Sequence, residues 1–162
     1  MDLSITISSA GPSSAPIVLR GDYQEQIVKA KAFGYHQVEL HIRDPKSLDL
    51  VPILKALEQT DLQVSTLGTG QAYVEDRIYL SSVEEKVRQA AVQRIKDHIK
   101  LAAVLGAKVI IGTIKGILPV SGPERKRAYG LVVDALKACL ETAERHGVQL
   151  SLEAINRYET NF

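Results

Sequence analysis

Glu153 ends the run Ser151-Leu152-Glu153, and Glu159 follows six residues later with Asn156, Arg157 and Tyr158 between them. A carboxylate at the end of a strand can ligate a divalent cation or carry a proton to and from a carbon acid. A second carboxylate close by can accept hydrogen bonds from the hydroxyls of a polyol, and Arg157 belongs to the same polar cluster as a candidate substrate contact. The plainer alternative is a solvated strand end with an Arg157–Glu159 surface pair of little energetic weight. Upstream, Glu39, His41 and Arg43 alternate with Val38, Leu40 and Ile42. Alternation puts the polar three on one side of a strand. There His41 can bind substrate or metal, or satisfy a structural hydrogen bond, while Arg43 can anchor a loop. Gly68-Thr69-Gly70-Gln71 offers close backbone approach and neutral hydrogen bonds suited to a polyol; the same letters also make a simple glycine turn. Lys115-Gly116 offers a cation for an anion or hydroxyl, or a solvated loop lysine.

Other reactive residue types fall in quieter places. His36, His98 and His146 lie near strand starts or on helices and read as structural or surface residues. Cys139 occupies an apolar position within a helix, with nothing nearby in sequence to favour its thiolate, so it reads as core. The chain has no G-x-S-x-G elbow and neither of the common glycine-rich phosphate loops.

The elements that must position these residues alternate strand and helix. Leu3–Ser8 alternates apolar and polar, a strand signal. Asp22 with Glu25 forms a capping box for a helix through Ile27, Ala30 and Phe33 to Gly34. Val38–Ile42 is a second strand. Leu50, Ile53, Leu54 and Leu57 mark a second helix, with Pro52 in its first turn. Leu62–Leu67 is a third strand, followed by a long loop from Gly68 to Ser82. Ser82 with Glu85 is a second capping box, opening a helix that runs to Gly106. Lys108–Ile111 is a fourth strand, Thr113 to Ser121 a loop, and Pro123 opens a helix that closes at His146-Gly147. Val148–Glu153 is the fifth strand.

The order βαβαβαβαβ predicts an α/β fold with a parallel sheet, in one structural unit spanning residues 1–162. An open doubly wound sheet and part of a (β/α)8 barrel both fit. The first wants a glycine-rich first turn, which Ser8-Ser9-Ala10-Gly11-Pro12 does not supply. The second concentrates chemistry in loops at the C-terminal strand ends, and the long loops 68–82 and 113–121 both follow strands.

Composition narrows the function classes. The 20 basic and 19 acidic residues balance to +1, which leaves no electrostatic footprint for nucleic acid. A 45% apolar fraction excludes a disordered chain. No apolar run reaches the ~18 residues of a membrane span, and the N-terminus lacks a signal peptide's features. A single cysteine excludes an internal disulfide and points to a reducing cytoplasm.

The stretch Leu152-Glu153-Ala154-Ile155-Asn156-Arg157-Tyr158-Glu159-Thr160-Asn161-Phe162 resembles the sugar phosphate isomerase/epimerase family, xylose isomerase-like barrels that include ketose 3-epimerases. The segments Val38-Glu39-Leu40-His41-Ile42-Arg43-Asp44-Pro45, Leu67-Gly68-Thr69-Gly70-Gln71-Ala72-Tyr73 and Val109-Ile110-Ile111-Gly112-Thr113-Ile114-Lys115-Gly116 carry the same resemblance, most closely to the branch containing 5-keto-L-gluconate epimerase. The resemblance implies a TIM barrel of which this chain is the N-terminal part, about five of eight strands. It implies metal-assisted proton transfer next to the carbonyl of a ketose or keto-sugar acid, with Mn or Mg held by Glu, Asp, His and Glu. Glu153 matches the first ligand and one of the proton-transferring pair. Glu159 matches a substrate-hydroxyl contact, and Gly68, Thr69 and Gln71 the pocket wall. The other ligands belong to later strands, so this chain alone is expected to hold the ion only weakly and to be impaired in catalysis, and Lys115 stands where the relatives are expected to carry Arg. Open strand edges imply self-association into a homo-oligomer. Two other readings remain at this point: a non-catalytic self-associating α/β module, and an endonuclease-IV-like role within the wider superfamily.

Overall fold

The structure, a computed structural model, describes residues 2–9, 11, 17–156, 158 and 160–162. Its strands are β1 (Ser4–Ser8), β2 (Leu19–Arg20), β3 (Gln37–His41), β4 (Gln63–Gly68), β5 (Lys108–Ile111) and β6 (Leu150–Leu152). They form one parallel sheet in the order β2-β1-β3-β4-β5-β6. The helices are α1 (Tyr23–Ala32), α2 (Leu50–Thr60), α3 (Gly70–Asp76), α4 (Glu85–Leu105) and α5 (Gly122–His146). From β1 through β3, β4 and β5 to β6, each connection steps one strand in the same direction. Right-handed crossovers then put the connecting helices on one face of the sheet.

Local signals account for most of these boundaries. Asp22 accepts a hydrogen bond from the Glu25 backbone N–H at 3.1 Å and caps α1. Asp49 does the same for α2 through Val51 N–H at 3.2 Å. Helices α4 and α5 stop at Gly106 and Gly147, each in the left-handed conformation with φ 66°.

Packing follows from the register. Ile7, Leu40, Leu67, Val109 and Leu150 are successive register partners across five strands. The first four are fully buried. This row faces Ile27 of α1, Ile53 of α2, Ile95 and Ile99 of α4 and Cys139 of α5 in one apolar cluster. Each such side chain contributes roughly 1.5–3 kcal/mol on burial. Leu152 at the β6 end is 64% exposed, because no helix among the described residues covers that edge.

Four features differ from the sequence expectation. The sheet has a sixth strand, β2, a two-residue stub pairing Leu19 with Ile7 and Arg20 with Ser8. It is too short for any periodicity to reveal. The expected loop 68–82 contains α3. The expected capping box at Ser82 is not formed: Ser82 Oγ accepts from Glu84 N–H at 3.2 Å, and α4 begins at Glu85 without a side-chain cap. The fifth expected strand, 148–153, narrows to Leu150–Leu152.

His98 of α4 is completely buried. Its Nδ1 lies 2.8 Å from the Arg94 carbonyl and its Nε2 2.9 Å from the Ile42 carbonyl, just beyond β3. It therefore ties α4 to the end of β3. Burial holds the imidazole below its ordinary pKa, against the two carbonyls that favour the charged ring. The unfolded chain thus binds a proton that the folded chain refuses. The unfolding free energy should be level above about pH 6.5 and fall as the pH drops below it. Urea denaturation between about pH 5 and about pH 8 checks this, and His98→Leu should flatten the acid limb; an unchanged limb would assign it to other groups.

Candidate active site

Alternation sends every second strand residue to the face opposite the helices. There the register stacks polar residues in rows. Thr6, Glu39 and Thr66 are register partners across β1, β3 and β4. One row higher stand Ser8, His41, Gly68, Ile110 and Ser151. A bulge at Ser65 sets this alignment: Val38 pairs with Val64, but Glu39 pairs with Thr66. Above the rows, the C-terminal strand ends open into a cleft of about 720 Å³ lined by residues that include Thr6, Glu39, His41, Thr69, Gln71 and Glu153.

Glu39 has three side-chain partners on this face. It accepts from Thr66 Oγ1 at 2.6 Å, from Thr6 Oγ1 at 3.3 Å, and faces His41 Nε2 at 2.8 Å. Burial pushes its carboxyl up, but the hydrogen bonds from His41 and Thr66 outweigh this and hold it below the usual carboxylate range. The His41 carbonyl is in turn fixed by Tyr23 Oη at 2.5 Å, from the first turn of α1.

Two glycines make room for the two side chains with most chemical capacity. A Cβ on Gly68 would sit 2.5 Å from His41 Cδ2 and 3.0 Å from its Cγ. A Cβ on Gly112 would sit 2.5 Å from Glu153 Oε2. Glu153 continues the β6 register, its N–H donating to Ile111 O at 3.1 Å. Among the described residues its carboxylate has no hydrogen-bond or ion-pair partner. Its carbonyl accepts from Lys115 Nζ at 2.5 Å.

Lys115 is only 3% exposed and lies 5.9 Å from the centre of the Phe162 ring. Burial pushes its ammonium pKa down, and the charge of Glu153 opposes that. The Asn161 amide holds this segment in place, accepting from Leu118 N–H at 2.8 Å and donating to Leu118 O at 2.5 Å.

The remaining wall comes from α3. Gln71 Nε2 donates to Ser8 Oγ at 2.5 Å and Thr69 Oγ1 to Ile110 O at 2.7 Å. Asp76, at the end of α3, accepts from Arg43 Nε at 2.9 Å and from Arg94 Nη1 at 2.8 Å. The Arg43 bond is the main cause of its lowered pKa. Arg43 thus anchors α3 from outside the cleft.

Of the residues singled out in the sequence, Glu153, His41, Gly68, Thr69 and Gln71 line the cleft together. Lys115 sits behind Glu153, and Arg157 and Glu159 lie outside the described residues. Sequence reasoning placed Glu39 beside His41 but gave it no role; Thr6 and Ser151 were missed. Their signal is parity with His41, which becomes usable only once the register is known. The described lining holds two carboxylates and one imidazole, with no Lys or Arg. Among the described residues no group of three or more His, Cys, Asp or Glu could hold a metal ion. Cys139 is buried and its thiol is pushed up to about 11 by that burial, so it remains a core thiol. No helix among the described residues is long and apolar enough to cross a membrane.

A parallel α/β sheet in which β1, β3, β4, β5 and β6 follow one another in chain order, with its polar cleft at the C-terminal strand ends, has the architecture of a (β/α) barrel. The sequence model of one family, the xylose isomerase-like TIM barrel, matches residues 27–162, and the chain belongs to that family. It is 30% identical over 138 residues to the ketose 3-epimerase of Arthrobacter globiformis, covering 83% of this chain and 46% of that protein. It is 24% identical over 144 residues to the L-ribulose 3-epimerase of Mesorhizobium japonicum, covering 88% and 47%. Among solved structures, a D-psicose 3-epimerase in the presence of D-fructose superposes with a TM-score of 0.73 at 21% identity, covering 99% of this chain and 55% of that one. The chain spans about half the length of the curated relatives it matches, consistent with an incomplete barrel.

The two glycines should respond differently to a methyl group. Gly68→Ala meets a ring held by Glu39 and should lower the unfolding free energy by about 1–3 kcal/mol. Gly112→Ala meets only the mobile end of Glu153, which can swing aside, so stability should stay within about 0.5 kcal/mol. Chemical denaturation of the two variants decides; equal losses would contradict the contrast.

Proposed function

We propose that this chain forms one half of the active site of a sugar epimerase or isomerase, which removes and returns a proton at the carbon next to a ketose carbonyl. The observation that carries this reading is the Glu153 carboxylate, unpartnered among the described residues at the mouth of a cleft lined by hydrogen-bonding groups. The relatives named as ketose and L-ribulose 3-epimerases support it.

Glu153 is the group that holds or moves the proton in this reading. Lys115 fixes its backbone from behind, and Gly112 leaves its carboxylate free to approach a substrate. Thr69, Gln71 and His41 offer hydrogen bonds to sugar hydroxyls, and Arg157 and Glu159 are assigned further contacts from the same segment. A carboxylate oxygen is also a hard ligand suited to Mn²⁺ or Mg²⁺. Glu153 fits one position of such a site, and the remaining ligands must come from outside the described residues. Such an ion, when bound, supplies positive charge that stabilises an oxyanion at the sugar carbonyl. The absence of Lys and Arg from the described lining argues against a nucleic-acid phosphate as ligand. Association of copies through the open β6 edge, in the cytoplasm, belongs to the same reading.

The test is proton exchange. A ketose such as D-fructose, incubated in D₂O with Mn²⁺ and this chain joined to the strands that supply the remaining ligands, should take up deuterium next to its carbonyl, read by proton NMR. Glu153→Gln, equal in shape but neutral, should slow this by about 10²–10⁴-fold without changing the unfolding midpoint. Unchanged exchange would remove Glu153 from the mechanism.

A further inference from the structure

We propose that Glu39 is a positioning residue that keeps the proton of the His41 ring on Nε2, leaving Nδ1 as the hydrogen-bond acceptor for one hydroxyl of the bound sugar. The sugar as ligand rests on the function proposed above; the placement of the proton does not.

Thr6 and Thr66 already donate to the two oxygens of Glu39, and His41 Nε2 lies 2.8 Å from Oε1. An ionised carboxylate is an acceptor only, so Nε2 must be the donor in that contact. The same surroundings keep Glu39 ionised. In a neutral imidazole with its proton on Nε2, Nδ1 carries a lone pair. Among the described residues no group donates to Nδ1. Gly68 fixes the plane of the ring, because the ring occupies the space a Cβ would fill. The Glu39 contact fixes which nitrogen turns to the row below. His41 lines the cleft and its side chain retains 27% exposure, so a ligand can reach it.

This arrangement selects for a hydrogen-bond donor. A hydroxyl can donate to Nδ1. A carboxylate or phosphate at the same place would meet a lone pair with the charge of Glu39 behind it, and no Lys or Arg stands in the described lining to offset that.

The experiment is nitrogen NMR of the protein labelled with ¹⁵N-histidine, at a pH where the ring is neutral. The expected spectrum has His41 protonated on Nε2 and bare at Nδ1. In Glu39→Gln the new amide can donate to Nε2, and the proton should move to Nδ1. Thr66→Val, which leaves the carboxylate in place, should keep it on Nε2. D-fructose at saturation should shift the Nδ1 signal, and Glu39→Gln should weaken D-fructose binding by about two- to twelvefold, the worth of one neutral hydrogen bond. A proton on Nδ1 in the native protein overturns the proposal, whether or not the variants fold. So does D-fructose that perturbs the Thr69 and Gly112 amides but leaves Nδ1 unmoved. Failure of the proton-exchange assay with both signatures present counts against the epimerase reading and leaves the couple standing.

Discussion

The parallel register of β3, β4, β5 and β6 governs every contact in the cleft. A period-two strand has only two faces, so one slip of register would exchange the apolar row for the polar rows. The apolar row Ile7–Leu40–Leu67–Val109 fixes that choice by burial. The polar rows on the other face follow without further energetic selection. Thr6, Glu39 and Thr66 meet because they are register partners, and their hydrogen bonds satisfy a carboxylate that would otherwise be costly to bury. The bulge at Ser65 is the adjustment that makes this possible, since it brings Thr66 opposite Glu39.

The same register explains why glycine stands at the ends of β4 and β5. Side chains on neighbouring parallel strands crowd one another at the strand ends, where functional groups must project into the cleft. His41 rests in the space left by Gly68, its register partner, and Glu153 in the space left by Gly112. Around this frame, contacts distant in sequence hold the walls. Asp76 ties α3 to Arg43 and Arg94. Lys115 ties the turn after β5 to the Glu153 backbone. The result is a floor in which one carboxylate, Glu39, is held by Thr6, Thr66 and His41, and another, Glu153, has no hydrogen-bond partner among the described residues.

Much of this frame was legible in the sequence. Alternation located β1 and β3, Asp22 located the start of α1, and the sequence resemblance pointed to the family. What escaped has physical reasons. Strand β2 has two residues and follows a Gly/Pro/Ser run, so pattern could not show it. Helix α3 begins at Gly70 within a stretch that reads as a flexible turn, and its hold comes from Arg43 and Arg94, far away in sequence. Ser82 looked like a cap, yet it bonds Glu84 and the helix starts later. The role of Glu39 depends on β1 and β4, which local sequence does not bring together. Lys115 was visible as a cation, but its partner is a backbone carbonyl 38 residues away, and side-chain chemistry gives no hint of that.

The central claim is that Glu153 and the floor built on Glu39 face one sugar-binding cleft. A crystal structure of the protein grown with Mn²⁺ and D-fructose tests it most directly. The account predicts sugar density over Gly68 and Gly112, with the Glu153 carboxylate beside the carbonyl end and the His41 ring still on Glu39. Sugar bound elsewhere, or Glu153 turned out of the cleft with sugar present, would contradict it.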